Sequence, residues 1–235
     1  AKACREAFVY DGQYSPERRR LHGRPTTGLP GRRFVVCLQN HDQVGNRAAG
    51  DRIGRQVGED LQKIGAAVVL FSPFVPLLFA GEEWAASTPF QYFTSVEDAE
   101  LAGKIVEGRR GEFAAFGWAP EDIPDPQDSA TFARSKLQWA ERPEGAHGRM
   151  LDWYRRLIRL RHATPVLRDG DRRGMRTAWD ERARWIELGR GGLVLIANLA
   201  DGDLDHPLPD ETVGAGILLA SKDDCTLRDG AVHLP

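Results

Sequence analysis

The sequence predicts an α/β segment followed by an all-β module, on three observations. Phe34-Val35-Val36-Cys37-Leu38 is an unbroken apolar run containing two β-branched residues, the pattern of a strand buried on both faces. Apolar side chains then recur at helical spacing before a second short apolar run, which is the order of a β-α-β unit in a parallel sheet. From about residue 172 the pattern changes again, to short apolar runs around a glycine turn with no helix between them.

Each element follows in chain order. Residues 1–10 read as the end of a helix, with Ala3, Ala7 and Phe8 on one face and Asp11-Gly12 as the stop. Residues 13–33 are rich in arginine, glycine and proline, so they read as an exposed connection; the alternative is that Tyr14 and its arginines help to wall a pocket. After the strand at 34–38, residues 45–58 read as a loop or short irregular helix. A helix is predicted over 59–72, with Leu61, Ile64, Val68 and Phe71 on its apolar face and Pro73 closing it. The apolar run 75–80 is the second strand and leads into Gly81-Glu82-Glu83-Trp84. Residues 85–148 carry Ser87-Thr88-Pro89-Phe90-Gln91-Tyr92-Phe93, an aromatic stretch at 113–118, and Pro124-Asp125-Pro126-Gln127-Asp128. Such a long aromatic and proline-rich excursion from a strand end suits a lining or lid better than a linker. A helix follows at 148–163, with Met150, Tyr154, Leu157, Ile158 and Arg161 on one face and its arginines read as solvated. Runs 185–188 and 193–199 form strands about Gly189-Arg190-Gly191-Gly192, and 216–220 reads as another strand.

Composition narrows the function. The 235 residues, 41% hydrophobic, can build a real core in one large domain or in a larger and a smaller piece. Lys plus Arg at 32 against Asp plus Glu at 34 leaves a formal charge of -2, without the basic excess of a nucleic-acid groove. A neutral polymer or small polar ligand fits better, and nucleic acid is not an expected partner. Cys4, Cys37 and Cys225 lie far apart without a C-x-x-C, so neither a disulfide framework nor a structural zinc site is supported, and Cys37 reads as a small core residue. No run of about 18 apolar residues and no basic-then-apolar amino terminus is present, so a soluble, cytoplasmic chain with no membrane partner is expected. There is no glycine-rich phosphate loop, and no cofactor is expected.

The candidate site is the polar continuation of the first strand, Gln39-Asn40-His41-Asp42-Gln43-Val44-Gly45-Asn46-Arg47. On parallel sheets ligands bind beyond the carboxyl ends of strands. Asp42 at such an end serves as a loop cap or as a reacting carboxylate, and Asn40, His41, Gln43, Asn46 and Arg47 around it suit a polyhydroxylated ligand. His41 has no second histidine near it and no H-x-x-x-H pair, so no metal site is expected. From the residues alone, Asp42 with Glu82 or Glu83 forms the candidate pair of a glycosidase, which needs two carboxylates about 5 to 9.5 Å apart.

Residues 34–42 resemble the last conserved motif of the alpha-amylase family of glycoside hydrolases, where strand seven ends in asparagine, histidine and aspartate. The longer run Gln39-Asn40-His41-Asp42-Gln43-Val44-Gly45-Asn46-Arg47-Ala48 is similar to one subfamily, the malto-oligosyltrehalose trehalohydrolases. So are Ser72-Pro73-Phe74-Val75-Pro76-Leu77-Leu78-Phe79, Gly81-Glu82-Glu83-Trp84, Ser87-Thr88-Pro89-Phe90-Gln91-Tyr92-Phe93, Pro124-Asp125-Pro126-Gln127-Asp128 and Trp153-Tyr154-Arg155.

The resemblance implies strands seven and eight of a (β/α)8 TIM barrel over residues 1–170. A C-terminal β-sandwich, expected to lack its last strand, follows over 171–235. It implies retaining hydrolysis of the α-1,4 bond beside the terminal trehalose of malto-oligosyltrehalose, with malto-oligosyltrehalose or maltodextrin as the substrate partner. Asp42 is then the transition-state stabiliser, and His41, Asn40, Gln43, Asn46 and Arg47 bind substrate. The family's nucleophile and general acid lie on earlier strands in motifs absent from this sequence, so Glu82 and Glu83 are not promoted to those roles and the isolated chain is expected to be inactive. The alternatives are a glycogen-branching α-glucan transferase and a non-catalytic carbohydrate-binding fragment.

Overall fold

The computed structural model describes residues 1–114, 117–208 and 215–235. The chain folds as two units, each drawn from separate stretches of sequence. One comprises Ala1–Val36, Lys63–Leu77 and Arg155–Pro235, the other Cys37–Gln62 and Leu78–Tyr154.

In the first unit, α1 (Lys2–Glu6) ends where Ala7 turns left-handed, several residues before the expected Asp11-Gly12 stop. The arginine-rich connection contains a small antiparallel hairpin, β1 (Tyr14–Ser15) and β2 (Arg20–Leu21). The predicted strand at 34–38 shortens to β3 (Val35–Cys37), beside β4 (Val75–Leu77). The Val75 N–H donates to the Phe34 carbonyl at 2.9 Å. Both strands therefore start at the same edge and run the same way, joined through α3 (Glu59–Phe71) as the β-α-β reading expects. Burial on both faces is not observed: Val35 is 64% exposed, and Val75 and Leu77 are exposed too. Gly31, in the turn before β3, is needed for close approach, because a Cβ there would lie 2.1 Å from the Pro73 carbonyl oxygen.

The 59–72 helix forms as predicted, but its face is rotated. Lys63, Ala66, Val69 and Leu70 are buried, whereas Leu61 is exposed. The small Ala66 permits close packing that a search for large apolar side chains passes over, and a lysine can bury its apolar stem.

The C-terminal end of α3 is held by two arginines. Arg161, from α6 (Gly145–Ala163), donates Nη1 to the carbonyls of Leu70 (2.5 Å) and Ser72 (2.9 Å) and Nη2 to that of Phe74 (2.8 Å). Arg190, 1% exposed, donates to the Phe71 and Ser72 carbonyls at 3.3 and 3.2 Å and to Asp169 at 2.6 Å. These cations meet the orphan carbonyls and the negative end of the helix dipole. The expected solvated role for the arginines of the 148–163 helix is thus corrected for Arg161, while Met150, Tyr154 and Leu157 are buried as expected.

The all-β part begins with an antiparallel sheet of β5 (Arg176–Asp180), β6 (Trp185–Arg190) and β7 (Leu193–Asn198). The β6–β7 turn forms at the predicted glycines. Gly191 takes φ +51, and a Cβ there would meet the Val166 side chain at 2.3 Å. A second antiparallel sheet has the order β8 (Leu204–Pro207), β10 (Ala231–Leu234), β9 (Thr226–Arg228). His206 on β8 pairs with Glu187 on β6 at 2.8 Å and meets the edge of Trp185. The predicted strand at 216–220 is not one; those residues form no ladder.

In the second unit, α2 (His41–Gly45) occupies the position predicted for the polar strand end. The excursion at 85–148 contains two helices, α4 (Ala99–Ala114) and α5 (Ser129–Arg134), the latter capped by Asp128, whose side chain accepts from the Ala130 N–H at 2.8 Å. Part of the expected 113–118 aromatic stretch lies outside the described residues; Phe113 is buried with Ala48 and Ile123. Among the described residues, no helix is long and apolar enough to cross a membrane.

Candidate active site

Asn40 enters α2 with extended backbone, and its Oδ1 accepts the Gln43 N–H at 2.9 Å. That bond satisfies one of the orphan donors at the helix start, so one atom predicted to face a ligand is used by the fold. The cap sets the direction of the next two side chains. His41 and Asp42 lie side by side, Nε2 to Oδ1 at 3.3 Å, with 71% and 72% of their side chains exposed. Asp42 therefore faces outward rather than capping its own loop. Gln43, Asn46 and Arg47 are exposed on the same short stretch, while Val44 and Ala48 are buried and anchor it. The six residues singled out in the sequence all occupy this turn and its exit.

Residues not singled out hold the turn in place. Arg109 of α4, nearly fully buried, donates to the carbonyls of Gly45 and Arg47, and its guanidinium lies over the rings of Tyr92 and Phe113, 4.7 and 4.8 Å from their centroids. A cation at the carboxyl end of α2 complements the exposed carbonyls there. The Arg109 to Phe113 spacing is the only sequence signal of this clamp. Gly50, at φ +69, brings the following loop against the 87–93 segment: Phe90 N–H donates to the Gly50 carbonyl at 2.8 Å, and a Cβ on Gly50 would lie 2.5 Å from the Phe90 oxygen.

The two glutamates at the end of β4 are bound into the protein. Glu82 is 4% exposed and accepts from the Tyr154 hydroxyl at 2.8 Å; Glu83 accepts from the Gly81 N–H at 3.1 Å. Burial pushes the Glu82 carboxyl above its ordinary value, with Glu83 adding repulsion, while hydrogen bonds from Tyr154, the Phe79 backbone region and Gln39 oppose the rise. Neither glutamate stands exposed beside Asp42, so the residue-only pairing of Asp42 with Glu82 or Glu83 receives no support. A further carboxylate, Glu141, ties the 81–87 segment down through Trp84 Nε1 (3.0 Å), the Ser87 N–H (3.0 Å) and the Ser87 hydroxyl (2.6 Å). Burial alone would raise this group, but those hydrogen bonds outweigh it and hold Glu141 below the ordinary carboxylate range.

The arrangement can place a carboxylate and an imidazole against a polar ligand from one exposed turn. No protein-family model matches the chain. A malto-oligosyltrehalose trehalohydrolase from Rhizobium sp. strain M-11 is 44% identical over 238 residues, covering 100% of this chain and 39% of that protein. One from Mycobacterium tuberculosis is 44% identical over 215 residues, covering 91% of this chain and 37% of that protein. A solved Salmonella typhimurium structure assigned to the alpha amylases superposes with a TM-score of 0.83 at 34% identity, covering 98% of this chain and 39% of its own. The chain thus spans about two-fifths of the length of the curated relatives it matches. Over its whole length the chain therefore matches the C-terminal portion of malto-oligosyltrehalose trehalohydrolases, relatives within the alpha-amylase glycoside hydrolase family.

Proposed function

We propose that the protein carrying this chain hydrolyses the α-1,4 bond beside the terminal trehalose unit of malto-oligosyltrehalose, releasing trehalose and a maltodextrin with retention. In that reading β3 and β4 are strands seven and eight of a TIM barrel over residues 1–170, and 171–235 form a C-terminal β-sandwich. The nucleophile and general acid come from the part of the relatives' length that this chain does not match. The free state of Cys4, Cys37 and Cys225 fits a reducing, cytoplasmic setting.

Asp42 acts as transition-state stabiliser. As positive charge develops at the anomeric centre, its carboxylate attracts that charge and grips sugar hydroxyls more tightly than in the ground state. His41 binds the same sugar, and Asn40, Gln43, Asn46 and Arg47 supply further hydrogen bonds to substrate. The observation carrying the reading is the exposed His41–Asp42 pair at 3.3 Å, in a chain 44% identical over its whole length to a trehalohydrolase.

The test is Asp42→Asn in the full-length protein, assayed for trehalose released from malto-oligosyltrehalose. Turnover is expected to fall about 10²–10³-fold or more with the melting temperature unchanged. Near-normal turnover would reject the role, and new α-1,6 branches in place of trehalose would reject the hydrolase reading for a transferase.

A further inference from the structure

The carboxyl end of α2 is gripped by a cation to which the fold gives no counter-ion. Arg109, 7% exposed, forms no ion pair among the described residues; its charge is met by the carbonyls of Gly45 and Arg47 and by the faces of Tyr92 and Phe113. Burying a guanidinium this way costs the fold more than burying an apolar side chain of similar volume, so what it holds matters. The bond to Arg47 is long, at 3.5 Å, and that carbonyl also accepts the Gly50 N–H at 3.0 Å. The Gly45 carbonyl is the closer partner. It belongs to the same peptide unit as the Asn46 N–H, which donates to the Asp42 carbonyl at 3.0 Å. Peptide units are planar, so fixing the C=O of one fixes the direction of its N–H. Arg109 and the Asp42 main chain are thus joined through a single peptide plane.

The turn has little rigidity of its own. α2 has five residues, well short of the roughly 12–15 at which an isolated helix becomes even marginally stable. Gly45 has no side chain to pack, and a Cβ there would meet nothing within 4 Å. At the other end Asn40 accepts the Gln43 N–H, which fixes where the turn starts but not how it closes.

We propose that Arg109 is a positioning residue for Asp42, holding the Gly45–Asn46 peptide so that the Asp42 carboxylate projects in one direction. This rests on the reading of Asp42 as the transition-state stabiliser. In this role Arg109 touches neither substrate nor reacting atom. A turn free to rock by a fraction of an ångström would still bind sugar but would meet the transition state less well, so the loss belongs in kcat rather than KM.

The test is a mutant cycle in the full-length protein, with trehalose release measured well below each variant's melting temperature. Arg109→Met is expected to lower kcat about tenfold with KM changed less than about twofold. Placed on top of Asp42→Asn, the same change should cost less than about threefold more, because the carboxylate it aims is already gone. Arg109→Ala supplied with guanidinium chloride at tens of millimolar should regain about threefold or more in kcat, whereas the parent and Asp42→Asn should not respond. Unchanged kcat in folded Arg109→Met, a further loss of about tenfold on top of Asp42→Asn, or no response of Arg109→Ala to guanidinium would each overturn the proposal. Should Arg109→Met not fold, Arg109→Lys, which keeps a donor for the carbonyl but loses the planar fork between the rings, takes its place in the cycle and is read by the same criterion. Asp42→Asn alone separates the two failures. If it is inactive while Arg109→Met is normal, the positioning role alone fails; if it is active, the functional reading fails first.

Discussion

Glu82 and Glu141 belong to one unit and respond to pH in opposite directions. Glu82 is raised by burial, so its stabilising contribution is fully present below the unfolded-state pKa and is lost as pH rises through the higher folded value. Glu141 is lowered, so its contribution is present above the unfolded-state pKa and is lost as pH falls through the lower folded value. Denaturant melts across the acid range should therefore show Glu82→Gln removing a loss of stability on the rising side, and Glu141→Gln removing one on the falling side. Identical slopes for both variants would contradict the geometry around one of them. At this scale the site was partly legible. Asn40, His41 and Asp42 stood out because five polar side chains, Gln39 to Gln43, follow an apolar run without a break. The partner that holds them, Arg109, comes from a segment dozens of residues away, and its spacing to Phe113 is a faint mark of such a pairing.

Among the elements, α3 and α6 were legible because large apolar residues repeat at helical spacing. α4 was not: its sequence, AELAGKIVEGRRGEFA, contains three glycines and few large apolar side chains, so tertiary contacts through Arg109 and Phe113 define its buried side. The 216–220 run misled because apolar content alone does not supply a pairing partner, whereas β9 and β10, with polar residues between, do pair. The arginine clamp on α3 is the element-scale feature with the clearest energetic consequence. Arg161→Met keeps most of the stem's packing but strips the Leu70 and Phe74 carbonyls of this donor and leaves Ser72 to Arg190 alone, and should cost about 2–4 kcal/mol in urea melts. A change below about 0.5 kcal/mol would mean that water or Arg190 replaces it fully.

For the whole molecule, the apolar outer residues of β3 and β4 matter most. Val35, Val75 and Leu77 leave apolar surface in water on neighbouring strands, the kind of patch that drives association. The isolated 235-residue chain is expected to self-associate in sedimentation experiments and to release no trehalose. Replacing Val35 and Leu77 by threonine should reduce the association; an unchanged distribution of species would locate the sticky surface elsewhere.

Arg190 gives the β6–β7 hairpin a say in how a helix more than a hundred residues earlier ends. A gene fusion that exchanged everything after residue 170 for a β module of other ancestry would remove this donor from the Phe71 carbonyl and one of the two donors at the Ser72 carbonyl. Only grafts bringing a long cationic side chain to the same spot would be tolerated, so the appended module can diversify at its far loops but not at this corner.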